Sequence, residues 1–250
     1  MTDFSNLKVN LVLKKSPIDE YQKGIDFFFD ELVKLNTNIF IIKKILEFPF
    51  DIFSSPGENI FFSTVVWNFY ENSVLTITKL ATDKKGDVYT LPRFKNWVLE
   101  QVKAKYALDF QNWLRKTRFN AKTERMLKLA RNLRNDMIAH FNKHISLKMR
   151  KVNYINIKEL EELKDNFNLV LDTISFDAGH EMLPLPYSEN IIRPKGIDHR
   201  SDLEVILDSI AKNSVILNMP ELQPEIWKYT KENYNEEGKK IINKYGSSPI

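Results

Sequence analysis

The sequence predicts an all-α protein, and three observations support this. Apolar residues recur every three or four positions along most of the chain, which is the period of an amphipathic helix. Glycine is scarce, at 7 of 250 residues, which argues against turn-dense β folds and glycine-rich nucleotide loops. Patterns typical of strands are weak and confined to residues 9–13 and 152–157. With 43% hydrophobic and 28% charged residues, the chain has an ordinary globular composition and enough length to bury its own core.

The first half of the chain contains three predicted helices. Residues 18–47 form either one long helix or two shorter ones, and Pro49 followed by the turn-forming stretch 54–59 ends the pattern. Residues 58–82 are apolar on more than one face, which favours a central and largely buried helix. Residues 92–117 carry a proline in the first turn and continue as an amphipathic helix.

The sharpest helical pattern covers residues 122–148, and a further helix is predicted over residues 158–176. One stripe of the 122–148 segment is apolar and contains Met126, Ala130, Leu133 and Met137. Because the strong helical patterns end at 176, we expect the all-α core to lie near residues 18–176, followed by a looser tail.

The C-terminal part of the sequence differs from the rest in composition and in apolar periodicity. Residues 177–200 hold three prolines, two glycines and no apolar period, which indicates a loop or linker. A capping box at Ser201 and Glu204 opens a short helix, and a polar helix is expected from about residue 224 to 245. Residues 177–250 are therefore interpreted as a linker and a C-terminal helical extension that can pack on the same domain.

Positive charge is concentrated in the middle of the chain. Between Arg93 and Lys151 there are 16 basic and 4 acidic residues, while the rest of the chain carries 21 basic and 29 acidic residues. Seven of the nine arginines lie in this stretch, and the planar guanidinium matches phosphate. One interpretation is a phosphate-binding or nucleic-acid-binding face; the other is a solvated helix face whose fold partner is an acidic segment. The predicted RNA-contacting residues are Arg115, Lys116, Arg118, Lys122, Arg125, Lys128 and Arg131. The interleaved aromatic side chains of Trp97, Tyr106, Trp113 and Phe119 are more typical of a core than of base stacking.

Several function classes are excluded or disfavoured by composition. The absence of cysteine removes disulfides, thiolate metal sites and a cysteine nucleophile. No Walker, Rossmann or His-Glu-x-x-His pattern is present. Asp136, His140 and His144 share one helical face, but one helix alone rarely completes a metal site, so neither a metal nor a cofactor is expected. No apolar stretch of about 18 residues and no signal-peptide pattern is found, and we expect a cytoplasmic protein outside the membrane.

The remaining candidate for chemistry is the sequence Arg134-Asn135-x-x-x-x-His140. On a continuous α-helix this spacing leaves the Arg134 and His140 side chains roughly 120° apart and about 9 Å along the axis, which makes a poor site in one copy. Two such helices about a two-fold axis would surround one cleft with two arginines and two histidines, with the apolar stripe as the seam. The spacing alone is weak evidence, since Arg193 and His199 repeat it in the loop-like stretch. The plain alternative for His140 is a core histidine bonded to Asp136.

Arginine and histidine without a metal suit the cleavage of RNA. The 2′-hydroxyl is an internal nucleophile, and a histidine near neutral pKa can take its proton or protonate the leaving 5′-oxygen. Arginine stabilises the charge that builds on the phosphate oxygens. The products would carry a 2′,3′-cyclic phosphate and a 5′-hydroxyl, and DNA would be spared.

Residues 133–140, LRNDMIAH, resemble the signature of the HEPN superfamily (higher eukaryotes and prokaryotes nucleotide-binding), in its abortive-infection branch. Residues 68–83 resemble the buried helix of that branch, and the likeness extends over about 20–176. It implies a helical bundle of four to five core helices within residues 1–176 and a homodimer through the 122–148 helix. It also implies a metal-independent endoribonuclease of a phage-defence or toxin system, with an antitoxin or activator protein as a further partner.

The resemblance also assigns roles to individual residues. It makes Arg134 and His140 catalytic, with Asn135 as the accompanying polar residue of the site; Asp136 and His144 are interpreted as supporting residues. Asn142 stands where the branch paired with nucleotidyltransferases has tyrosine, which argues against such a partner. The alternatives are a non-catalytic RNA- or protein-binding dimer of the same family and a sensor of a nucleotide ligand.

Overall fold

The computed structural model describes residues 3–53, 56–81, 89–138, 153–176, 202–214, 221 and 223–245. Within these ranges all regular secondary structure is helical, apart from one isolated β-bridge, and the predicted all-α class is confirmed. Among the described helices, none combines the length and apolar composition needed to cross a membrane.

Two compact units divide the chain. The first comprises residues 1–39 and 71–186, and the second comprises residues 40–70 and 187–250. The structure thus groups residues 40–70 with the C-terminal segment, and the sequence-based division after residue 176 stays a prediction.

The two long N-terminal helices each contribute residues to both units. Helix α2 runs without a break over Ile18–Glu47, and helix α4 covers Pro56–Ala81. The expectation that α4 is largely buried is wrong, because Ile60 and Phe61 are mostly exposed. The presence of apolar residues on several faces of a helix does not show which of those faces are covered by other parts of the chain.

The short helix α1, Val9–Val12, occupies one of the two weak strand candidates. Only Leu13 at its end pairs as in a sheet, through an isolated antiparallel bridge to Val102. The other candidate is also wrong where it can be seen, since residues 153–156 are irregular and Ile157 begins a helix. A short apolar run does not distinguish strand from helix without its neighbours.

The segment predicted as one helix over 92–117 is broken into three. Helix α5 covers Leu91–Gln101, helix α6 covers Ala104–Trp113, and a 3₁₀ helix follows at Leu114–Thr117. At the first break the backbone pairs with the N-terminal segment instead of continuing the helix. The Lys103 N–H donates to the Val12 carbonyl at 2.9 Å, and the Lys14 N–H donates to the Gln101 carbonyl at 3.0 Å.

Close packing between α2 and α5 depends on a glycine. An added Cβ at Gly24 would lie 2.4 Å from Cε2 of Phe94 and 2.6 Å from the hydroxyl oxygen of Tyr89. These rings belong to an aromatic cluster in which Phe28 stacks on Tyr89, with ring centroids 5.2 Å apart. The cluster packs α5 against α2.

One helix of the basic stretch packs against an acidic helix. Helix α7 covers Ala121–Leu133 and begins at Asn120, whose side chain accepts from the Thr123 N–H at 2.8 Å. Helix α8 covers Ile157–Ile174 and packs against α7. It begins with a complete capping box between Asn156 and Glu159.

The described helices of the second unit include the short helix α3 (Phe50–Phe53), helix α9 (Asp202–Lys212), helix α10 (Gln223–Asn233) and helix α11 (Glu236–Tyr245). The single polar helix predicted over 224–245 is therefore two helices. The break follows from Asn235, whose side-chain oxygen accepts from the Gly238 N–H at 2.9 Å and starts the new helix. The predicted cap Ser201 lies outside the described residues. The buried core of this unit includes Ile45, Phe48, Phe53, Leu207, Trp227 and Ile242.

Candidate active site

Arg134 lies where α7 changes its hydrogen bonding. Residues Arg134–Ile138 form a π-helical turn, in which each N–H bonds to the carbonyl five residues earlier. The expectation of a continuous α-helix through this point is wrong, and the 120° estimate between Arg134 and His140 does not hold across a wider turn. Single π-helical turns are rare in proteins, and those that occur are often found at functional sites.

The side chains of Arg134 and Asn135 contact each other on this turn. Nε of the half-buried Arg134 donates to Oδ1 of the exposed Asn135 at 3.1 Å. The bond joins adjacent residues, so it restrains the guanidinium next to the backbone of the motif. Asp136 follows on the same turn and is also half-buried.

The histidines of the motif lie outside the described residues. His140 and His144 both belong to residues 139–152, as does the second half of the predicted 122–148 helix. The approach of His140 to Arg134 and to Asp136 stays a prediction. The described residues contain no group of three His, Asp or Glu side chains that could hold a metal ion, and two of the three candidate ligands, both histidines, lie outside that range.

The apolar stripe of α7 is buried inside the protomer. Met126 and Ala130 are 0% exposed and Leu133 is 2% exposed. These residues form core packing on the side of α7 that the chain itself covers, so their predicted role as a dimer seam is wrong. The opposite face presents Lys128, Asn132 and Asn135, all exposed and spaced by four and three residues. A two-fold contact through α7 would have to use this polar face.

Three of the seven predicted RNA-contacting cations have partners in the fold. Lys122 forms an ion pair with Glu162, and Nη2 of Arg125 lies 3.5 Å from Oε1 of Glu159. Both acids belong to α8, so the acidic fold partner considered from sequence is present for these two residues. Lys116 lies over an aromatic ring, with its Nζ 3.7 Å from the centroid of Trp113.

The other four cations have no carboxylate within ion-pair distance among the described residues; they are Arg115, Arg118, Lys128 and Arg131. Arg131 is notable, because its Nε is buried and has no hydrogen-bond partner in the described part of the chain. It lies one helical turn before Arg134. A buried donor without a partner is costly and is commonly satisfied by an ion, water or ligand.

Lys95 is a basic residue that the sequence did not single out. It is half-buried on α5, and its Nζ donates to Oγ1 of Thr117 at 3.3 Å. Burial, and to a lesser extent the positive charge of Arg118, lowers the pKa of the Lys95 ammonium. Lys95 and Arg118 are 23 positions apart in the sequence, so only tertiary packing shows that they are neighbours.

The interleaved aromatic residues pack in the fold, as the sequence favoured. Nε1 of Trp113 donates to the Thr173 carbonyl at 3.0 Å. The other three rings each lie against a buried phenylalanine: Trp97 on Phe94, Tyr106 on Phe4 and Phe119 on Phe167.

The second unit contains a cavity of about 200 Å³. Lys44 and Lys244 line it, and each already has a carboxylate partner: Glu204 at 2.9 Å and Asp208 at 3.0 Å, respectively. The cavity therefore lacks the unmatched positive charge that the α7 region of the first unit presents.

No family model, curated protein or solved structure matches the chain. The HEPN resemblance therefore rests on residues 68–83 and 133–140 alone and stays a prediction.

Proposed function

We propose that the protein is a metal-independent endoribonuclease of a phage-defence or toxin system. The observation that carries the proposal is the π-helical turn at Arg134, whose Nε is bonded to Asn135 at the first two positions of Arg-Asn-x-x-x-x-His. An arginine restrained by a neighbouring amide, on a backbone irregularity typical of functional sites, is suited to hold a phosphate in one geometry.

The proposed reaction uses the 2′-hydroxyl of the RNA as nucleophile. His140 takes its proton, the 2′-oxygen bonds to phosphorus, and the bond from phosphorus to the 5′-oxygen breaks. The leaving oxygen takes a proton from the protonated His140 and becomes a 5′-hydroxyl, and the phosphate remains as a 2′,3′-cyclic diester. Arg134 stabilises the negative charge on the phosphate oxygens, Asn135 keeps Arg134 in place, and Asp136 orients His140.

The proposal includes a homodimer. The sequence predicts Arg134 and His140 on one helix, so two copies related by a two-fold axis would supply a fuller set of donors around one phosphate. The buried stripe of α7 leaves the polar face of Lys128, Asn132 and Asn135 for this contact.

The test is cleavage of a mixed cellular RNA pool by purified protein in EDTA. We expect fragments ending in a 2′,3′-cyclic phosphate from the wild type, and a loss of at least about 100-fold in the variant carrying Arg134→Ala and His140→Ala, since each group is worth about that much or more in such reactions. The matched control carries Arg193→Ala and His199→Ala, which removes the same residue types at the same spacing from another part of the chain. It should cut like the wild type.

Two results would contradict this proposal. Activity lost on chelation would indicate a metal-dependent enzyme, and equal cleavage by the wild type and the Arg134/His140 variant would place the chemistry elsewhere.

The second candidate function is RNA binding without cleavage, favoured by the four cations without an acidic partner. It predicts tight, salt-sensitive binding of RNA and no product from the wild type.

A further inference from the structure

The Lys95 side chain of α5 reaches the end of the 3₁₀ helix, next to Arg118, whose positive charge acts on it. Thr117 connects them: its hydroxyl accepts from Lys95 Nζ at 3.3 Å and donates to the Leu114 carbonyl at 2.8 Å. Arg118 is the next residue, exposed on an extended backbone. The hydroxyl thus holds the Lys95 ammonium against the turn from which Arg118 projects.

The charge of this pair is unbalanced. Neither Lys95 nor Arg118 has a carboxylate within ion-pair distance among the described residues. Like charges at short range are unfavourable, and burial of an ammonium adds to that cost. The fold matches Lys122 and Arg125 with acids of α8 but leaves this pair without one. An anion between the two groups would relieve the repulsion.

We propose that Lys95 and Arg118 form a second phosphate-binding site, which holds one backbone phosphate of the RNA away from the cleavage motif. This inference rests on the proposed function, because it takes the anion to be part of an RNA chain. The ammonium supplies a point charge and the guanidinium a planar fork, and the two together suit a phosphate diester.

The position of this site sets a length for the RNA. Helix α7 has 13 residues and lies between Arg118 and Arg134 in the chain. An α-helix of this length spans about 20 Å, and we take this span as the separation of the two sites. At a rise of about 3.4 Å per nucleotide for a stacked strand, this distance corresponds to about six nucleotides. An RNA of twelve nucleotides can reach both sites at once, and a dinucleotide, which has a single bridging phosphate, cannot.

Binding is measured with a labelled single-stranded RNA of twelve nucleotides and the full-length protein carrying His140→Ala, so that the probe is not cut. Adding Lys95→Gln or Arg118→Gln should weaken binding and reduce the slope of log K against log salt by about 0.7, the value for one phosphate contact on a single strand. DNA of the same sequence should show the same reduction, because a phosphate contact does not read the sugar.

Lys105→Gln is the matched control, since Lys105 is an exposed lysine of the same basic stretch whose Nζ lies over the ring of Tyr106. It should leave the slope unchanged. Arg118→Gln guards against misfolding, because Arg118 is exposed and makes no side-chain hydrogen bond within the described residues. An unchanged slope in both site variants, or an equal reduction in Lys105→Gln, would overturn the inference.

Cleavage separates this inference from the function on which it rests. With a cutting protein, Lys95→Gln should raise KM for the twelve-nucleotide RNA and leave kcat/KM for a dinucleotide unchanged. If the wild type binds but never cuts, and the two slopes still fall, the phosphate site stands and the ribonuclease proposal fails. If the wild type cuts and the slopes do not change, the reverse holds.

Discussion

Glu31 on α2 is a carboxylate with 7% exposure that is held by two lysines. Its Oε1 lies 3.0 Å from Nζ of Lys34 and its Oε2 lies 2.9 Å from Nζ of Lys79. Burial acts to raise the pKa of Glu31, but hydrogen bonds and charge from Lys79 and Lys34 outweigh it and hold the pKa below its ordinary value of 4.5. The ionised form is therefore the one that the fold stabilises.

This arrangement predicts a pH-dependent contribution to stability. Because the pKa is lower in the folded protein, the contribution is complete above about pH 4.5, the ordinary value, and is lost as the pH falls through the folded value. Glu31→Gln should lower the free energy of unfolding by about 1 kcal/mol at pH 7. Urea unfolding of both proteins from pH 7 to pH 2.5 should show the difference vanish at the acid end.

The control for Glu31 is Glu100→Gln, which neutralises an exposed carboxylate on α5. That variant should unfold within about 0.5 kcal/mol of the wild type at neutral pH. A deficit in Glu31→Gln that persists unchanged at pH 2.5 would show that shape, and not charge, is what the site requires.

At the scale of single residues, the sequence identified the basic residues but did not show which of them have an acidic partner in the fold. Lys122 and Arg118 both belong to one run of positive charge, yet one pairs with Glu162 and the other repels Lys95. The difference depends on which residues the fold brings alongside. Glu162 is 40 positions from Lys122 in the sequence, and Lys95 is 23 positions from Arg118. Similarly, Arg134 and Asn135 could be chosen from the motif, but their mutual hydrogen bond could not.

At the scale of elements, periodicity predicted where helices exist, because the apolar spacing that it detects is the spacing that packing requires. Periodicity did not predict the helix breaks that are caused by backbone pairing or by side-chain capping. Val102 interrupts a continuing apolar pattern since its neighbours bond to the N-terminal segment, and Asn235 interrupts one by capping the next helix. The π-helical turn at Arg134 has no period-based signal at all, because it changes the spacing of a single turn.

Helix α8 offers a test of how much one cap contributes to an element. Oδ1 of Asn156 accepts from the Glu159 N–H at 2.9 Å, and Oε2 of Glu159 accepts from the Asn156 N–H at 3.1 Å. Asn156→Ala removes one of these bonds and should lower the free energy of unfolding by about 1 kcal/mol. Urea denaturation measures it directly.

Asn153→Ala is the matched control, since Asn153 is exposed and three residues before the cap, in the irregular segment. It should stay within about 0.5 kcal/mol of the wild type. Equal losses in the two variants would show that the irregular segment as a whole, and not the cap, supports the start of α8.

At the scale of the whole molecule, burial shows whether an apolar stripe belongs to the core of one chain or is available to a second copy. The stripe of α7 was consistent with a dimer seam or with a core, because both require the same spacing. The complete burial of Met126 and Ala130 in one chain assigns it to the core. Sequence could not make this choice, since it does not show which elements pack against α7. Any dimer through α7 must then be polar at its centre, around Lys128 and Asn132.

A composite site in such a dimer predicts complementation between inactive subunits. Arg134→Ala keeps His140, and His140→Ala keeps Arg134, so a dimer with one subunit of each kind contains one arginine and one histidine around its cleft. Mixing the two inactive proteins should restore measurable cleavage of RNA. The control is each protein mixed with the double variant, which supplies no missing group and should stay inactive. Light scattering and mass spectrometry of the mixture establish that mixed dimers have formed; mixed dimers without activity would mean that each copy must provide both groups for itself.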